Sequence, residues 1–421
     1  MVNKKALLIM GGFAQVCDIV QDAKNNGIHV IVTDYLEDSP AKKIADESYM
    51  VSITDVDGIV NLCRERNVDG VMNYCIDPGQ KPYQQICERL GLPCYGTKEQ
   101  FDIMTNKDLF KKACIENGLD IIPSYYLDED CKEEDLEKIQ YPVVIKPADG
   151  RASKGTTLCK NKSEVKSALK LALEHSDRKK VIVEKFITGQ EVVIKYFIRN
   201  GEIALTSMAD LFTCYRENGE RAYIGTQIFP SKYYKKFIES TDTKVRSMIK
   251  NLGIMNGAMS FDGFVDGDKF RFFDPSFRMG GAQDWRIVSE ITGVNISQLL
   301  TEFALYGKIE GLDDITKLDK KFDNKAAAML YFLAREGKIG KIHGVEKASE
   351  HDSVIGYHLS HNEGDVISKS GTSDHVVMRF LMVSDDMKKL KSDIDHLQKL
   401  IFIEDENGQD MMLPNFDVNL I

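Results

Sequence analysis

Two hydrophobic rhythms alternate through the first hundred residues. Short apolar runs, ALLIMGG (6–12), HVIVTDY (29–35), SYMVSI (48–53) and VDGVMNY (68–74), have the length and β-branched content of buried strands. Between them, VCDIVQDAKNNG (16–27), VDGIVNLCRERN (56–67) and QQICERLGLP (84–93) place apolar residues on one helical face and end at glycine or polar stops. Strands separated by helices of this length predict a parallel, doubly wound sheet. In such sheets ligands gather beyond the carboxyl ends of the strands. That places Gly11, Gly12, Asp34 and the Asp77-Pro78-Gly79 turn near a cleft.

Further along, TNKDLFKKACIENGLDII (105–122) reads as an amphipathic helix stopped at Gly118. Residues 124–185 carry strand, glycine-rich loop, helix and strand, and 192–278 are β-rich around the helix TKVRSMIKNLG. A long helical stretch with a break at Gly293 follows residue 284, and then a charged segment (308–325) with the composition of a linker. The remainder reads as a small α+β module with turns at Asn362-Glu363-Gly364 and Glu406-Asn407-Gly408. The stretch 208–235 reads as a polar, aromatic loop region in which Tyr215, Arg216 and Arg221 are candidates for binding a carboxylate or phosphate; Arg286 is another. Solvated surface arginines explain them equally well.

Composition narrows the class. The chain has 421 residues, which calls for several domains, and a net charge of -10, which argues against a nucleic-acid partner. No apolar run approaches the roughly 18 residues of a membrane span. The basic, apolar N-terminus resembles a signal peptide only superficially, because it runs straight into the glycines of a first strand. Nine cysteines without a CxxC pair predict reduced thiols and a cytoplasmic protein.

Three segments carry candidate chemistry. In YPVVIKPADGRASKGT (141–156) a strand delivers Lys146 to a loop with Gly150, Arg151, Ser153, Lys154 and Gly155, a combination that can cradle an anion or form an ordinary exposed loop. No Walker motif is present. In KVIVEKFITGQEVV (180–193) Glu184 and Glu191 flank a short apolar hinge able to meet a purine edge and a ribose; two surface glutamates are the plain alternative. In MSFDGFVDGDKFRFFDPSFRMGG (259–281) a hairpin makes Asp262 and Asp274 candidates for one face, with Ser276 and Arg278 beyond. Such acids repel unless a cation or proton relieves them, or unless both are solvated. A nicotinamide site is weakened by GGFAQV, which lacks the third glycine of GxGxxG.

In order and spacing, these segments resemble the ATP-grasp superfamily. The resemblance implies a multidomain α/β and α+β fold: a Rossmann-like domain (1–98), an ATP-grasp domain (99–315, with a lid subdomain at about 124–185) and a C-terminal α+β lobe (322–421). It assigns ATP contacts to Lys107, Lys146, Ser153, Gly155, Glu184, Lys185, Ile187, Glu191, Phe264 and Phe273. Magnesium, or manganese in its place, falls to Asp262, Asp274 and Ser276, and catalytic charge to Arg278 and Lys146. Aspartates where glutamate is usual, and Ser276 where asparagine is usual, depart from the family pattern. The implied reaction joins a small-molecule carboxylate to an amine through an acyl phosphate, with a homodimer as the candidate assembly and without nucleic acid or membrane. The alternatives are a purine-pathway-type ligase or carboxylase of the same superfamily and an ATP-binding regulatory protein without turnover. A Rossmann-type oxidoreductase is the rival from another class.

Overall fold

The computed structural model describes residues 4–127, 132–147, 155–176, 179–215, 221–319, 322–368 and 373–421. The alternating pattern near the N-terminus folds as expected. Strands Glu47–Tyr49, His29–Thr33, Ala6–Met10 and Gly70–Met72 lie side by side in that order, all parallel. Their apolar side chains are buried between flanking helices, including Cys17–Asn25 and Val56–Glu65. Asp34, at the carboxyl end of this sheet, accepts from the backbone N–H of Gly12 (2.7 Å) and of Leu36 (2.8 Å). The carboxylate a nicotinamide ribose would need is thus committed to holding its own loop.

Two further sheets shape the rest of the chain. The smaller has four strands in the order Ser124–Tyr125, Val181–Lys185, Val143–Pro147, Thr157–Cys159, backed by the helix Val165–Glu174. The larger has nine: Val354–Leu359, Val376–Ser384, Ala326–Leu333, Arg221–Phe229, Glu202–Tyr215, Glu191–Arg199, Gly257–Asp266, Lys269–Ser276 and Asp120–Ile121. It therefore runs without interruption from the hairpin acids into strands beyond residue 326. The pairing Thr226↔Leu330 through Phe229↔Ala327 makes the junction.

The helix expected within 105–122 is Lys107–Glu116, and a separate helix, Lys98–Thr105, precedes it. Asn106 interrupts them because its side chain accepts from the N–H groups of Asp108 and Leu109, which makes it an N-cap. The expected loop over 208–235 is largely two long antiparallel strands. Alternating apolar positions there pair across the sheet, and that outweighs the polar composition. Among the described residues, the eight cysteines (17, 63, 75, 87, 94, 114, 159 and 214) are free thiols, and no helix is long and apolar enough to cross a membrane. Cys131 lies outside them.

On the C-terminal strands His358 pairs in register with Arg379. Burial, helped by the Arg379 charge, pushes the imidazole down to about 4. Because the unfolded chain binds a proton near the ordinary value, this residue's contribution to stability is present above about pH 6.5 and is lost toward pH 4. Relative to His358→Gln, wild type should lose on the order of 2 kcal/mol between about pH 7.5 and pH 4.5, read by urea denaturation. A difference that does not change with pH would show that the ring titrates normally.

Candidate active site

The hairpin Gly257–Asp266/Lys269–Ser276 places Asp262 directly opposite Asp274. One strand further, Asp262 faces Val193, and Ser260 sits between Ser276 and Lys195. Alternation then puts Glu191, Lys195, Phe264, Asp262, Ser260, Asp274 and Ser276 on one face of the large sheet. A register shift after Asp262 brings Phe273 beside Phe264, with the rings stacked at 5.1 Å. Burial, together with the charges of Asp274 and Glu191, pushes the Asp262 carboxyl up to about 7. Like charges held this way are relieved by a divalent cation or a proton. Among the described residues, no group of three or more His, Cys, Asp or Glu is placed to hold a metal ion. Two carboxylates and a serine suit magnesium, which takes few protein ligands and completes its shell with phosphate oxygens and water.

Cations pair with carboxylates both on this face and on the small sheet. Lys107, at the first position of its helix, reaches within 3.5 Å of Asp274. Lys146, on the small sheet, donates to Glu184 at 2.8 Å, and Lys111 donates to the other oxygen of Glu184 at 2.7 Å. Burial alone would raise the Glu184 pKa, but the two lysines outweigh it and hold it below the ordinary value. Lys111 was not among the expected residues. Its spacing from Lys107, one helical turn on the same face, is the signal that could have found it.

Between the sheets, Phe186–Gln190 forms the hinge. Lys185 and Phe186 donate backbone N–H groups to Pro123 and Pro142, and the Lys185 ammonium lies 3.6 Å from Asp266. Ile187 is buried and lines a cavity beside Glu191 and Phe264. Gly189 is required here, since a Cβ would sit 1.6 Å from the Val265 carbonyl oxygen. Gly155 has φ +72°. Gly150, Arg151, Ser153, Lys154 and Arg216 lie outside the described residues, as do the side chains of Tyr215 and Arg221.

Arg278 leaves the hairpin and locks onto Asp77 with two parallel bonds of 2.7 Å. This joins the expected Asp77-Pro78-Gly79 turn to the end of the hairpin that carries Asp262 and Asp274. Beside it, Lys195 forms a buried ion pair with Asp284, and both pack against Gly280, where a Cβ would lie 2.5 Å from each. Neither was expected, although an inward-facing lysine within VVIKYFI is the sequence trace of such a pair. Arg286 pairs with Asp18 (2.8 Å) and donates to the Ile355 carbonyl (3.1 Å).

Comparison with known proteins bears on this arrangement. The family profile described as D-ala D-ala ligase C-terminus matches residues 123–213, and that described as PylC-like, N-terminal domain, matches 7–81. The fold follows that of phosphoribosylglycinamide synthetase from Anaerococcus prevotii (TM-score 0.77, 21% identity, 96% of this chain and 100% of that one). It also follows L-amino acid ligase from Bacillus licheniformis (TM-score 0.78, 19% identity, the same coverage). The chain's multidomain architecture, with a Rossmann-like sheet and ATP-grasp-like lobes, matches that of ATP-grasp superfamily structures. Formate-dependent phosphoribosylglycinamide formyltransferase of Methanocaldococcus jannaschii is 25% identical over 317 residues, covering 74% of this chain and 77% of that protein. The protein of that name from Wolinella succinogenes is 22% identical over 322 residues, covering 72% and 76%.

Proposed function

We propose that this ATP-grasp protein is an ATP-dependent ligase that activates a carboxylate as an acyl phosphate and passes the acyl group to an amine. The observation that carries the reading is the pairing of Asp262 with Asp274 beside Lys107, whose helix also carries Lys111 to the Glu184–Lys146 pair of the small sheet. A carboxylate is a poor electrophile. Its oxygen attacks the γ-phosphorus of ATP, the bond to ADP breaks, and the amine then attacks the acyl carbon as phosphate leaves. Lys107, Lys146 and Arg278 offset charge on the transferring group. Bound magnesium would add Lewis-acid stabilisation, and Asp262, Asp274 and Ser276 are the residues that would hold it. Glu191, Ile187, Phe264 and Phe273 bind the nucleoside, and the small sheet excludes water from the acyl phosphate.

A biotin carboxylase domain dimer of Hydrogenobacter thermophilus, in complex with MgADP and bicarbonate, shares the fold (TM-score 0.74, 18% identity) and supports ATP, magnesium and a homodimer. Within the ligase reading, the relatives named phosphoribosylglycinamide formyltransferase favour a purine-pathway-type ligase or carboxylase over a general carboxylate-amine ligase. Against a regulatory protein without turnover stands the approach of Lys107 to the paired acids Asp262 and Asp274.

The test is a screen for magnesium-dependent ADP release over formate, bicarbonate, amino acids and phosphoribosyl amines, with mass spectrometry of the product. Release that depends on one acid and one amine is expected. Nucleotide binding without release under any pair would favour the regulatory reading, and no nucleotide binding would end both.

A further inference from the structure

Lys146 answers to two anions. The proposed chemistry sets it against the transferring phosphate, yet its ammonium donates to Glu184 at 2.8 Å. Glu184 is a demanding partner, because its side chain is only 12% exposed. A carboxylate buried to that degree without a cation is strongly destabilising. With Lys146 as its sole partner, Glu184 would compete with the nucleotide for one lysine. Each approach of that lysine to phosphate would strip a buried charge of its counterion.

Lys111 changes this balance. It donates to the second oxygen of Glu184 at 2.7 Å and to the Ser124 hydroxyl at 2.8 Å. The two acceptors are neighbours on the small sheet, where Ser124 pairs in register with Glu184. Lys111 itself comes from outside that sheet. Its helix, Lys107–Glu116, is fastened to the hairpin that carries Asp262 and Asp274. There Phe110, fully buried, stacks on Phe261 at 5.8 Å, and Lys107 stands 3.5 Å from Asp274. Held by two acceptors and a packed helix, Lys111 stays on Glu184 while Lys146 moves. The mobile partner is Lys146, whose side chain is 36% exposed against 16% for Lys111 and which sits next to the end of its strand, Val143–Pro147.

We propose that Lys111 is a positioning residue, which frees Lys146 for the triphosphate by keeping Glu184 paired. This rests on the nucleotide site proposed above and adds a residue to it. Lys111 acts through Glu184 and touches neither nucleotide nor substrate. Glu184 then gives up one of two bonds and keeps a counterion, so the competition for Lys146 is weakened at its source.

The experiment is isothermal titration calorimetry of the full chain, with adenosine and with the magnesium complex of a non-hydrolysable ATP analogue. The ratio of the two affinities isolates the gain due to the phosphates. Lys111→Met leaves Glu184 paired with Lys146, so the chain should fold, and the phosphate gain should fall at least ~10-fold. Lys111→Arg keeps the charge and should retain most of the gain. In a Glu184→Gln chain there is no buried charge to keep paired. Adding Lys111→Met to that chain should therefore leave the gain where Glu184→Gln alone sets it. A fall of the same size in both backgrounds would mean that Lys111 acts on the phosphates directly or through space, which overturns the proposal. So does a Lys111→Met chain with the wild-type gain. A wild-type chain that binds the analogue no better than adenosine would remove the nucleotide site itself, and the role of Lys111 with it.

Discussion

Lys146→Ala is expected to lower ADP release at least ~100-fold and to weaken ATP binding, because a cation facing the transferring phosphate is lost from a water-poor site. The fold should survive. Glu184 keeps its bond to Lys111 at 2.7 Å, so deleting Lys146 does not leave a buried carboxylate unpaired. The same argument separates two ways the variant could fail. Loss of activity with an unchanged melting temperature marks a catalytic cation, whereas loss of both would mark a structural ion pair to Glu184. Steady-state ADP release and thermal melting on the same preparation distinguish them. A variant that turns over at the wild-type rate would remove the central assignment.

Asp274→Asn should reduce turnover by a factor on the order of 1,000 while leaving the metal-free protein at least as stable as wild type. The asparagine keeps the shape and deletes one of two facing charges. Asp274 is the leading charge among the neighbours that raise the Asp262 carboxyl, so its removal lets that group ionise at lower pH. Lys107 loses its partner at 3.5 Å, but both side chains there are about half exposed and such a pair adds little to stability. Melting with and without Mg-ATP is the measurement. The variant should gain less from Mg-ATP than wild type does. Full activity would show that Asp274 is only a solvated hairpin acid.

Much of the fold could be read from local pattern. The four parallel strands, the helix stop at Gly118, the break at Gly293 and the hairpin turn after Asp266 all rest on signals within a dozen residues. The opposition of Asp262 and Asp274 was legible too, because a tight turn fixes register. What could not be read depends on partners far along the chain. The Arg278–Asp77 pair joins residues 201 positions apart, and the Lys195–Asp284 pair also reaches far beyond its own strand. Arg286 likewise pairs with Asp18, 268 positions earlier in the chain. The strands over 202–229 looked like loop because their stability comes from neighbours on both sides and not from their own composition.

The junction at Thr226↔Leu330 also governs what can be removed from this protein. A chain cut after residue 325 would not simply lack a lobe. It would turn Arg221–Phe229 into a naked sheet edge with a row of unused backbone donors and acceptors, a template for intermolecular pairing. The nucleotide-facing half and the C-terminal strands are therefore one inheritance unit. They cannot be exchanged between related ligases as a cassette at the charged stretch around residue 315, and recombination is better tolerated around the small sheet, which joins the large one through two short segments, 122–123 and 186–190.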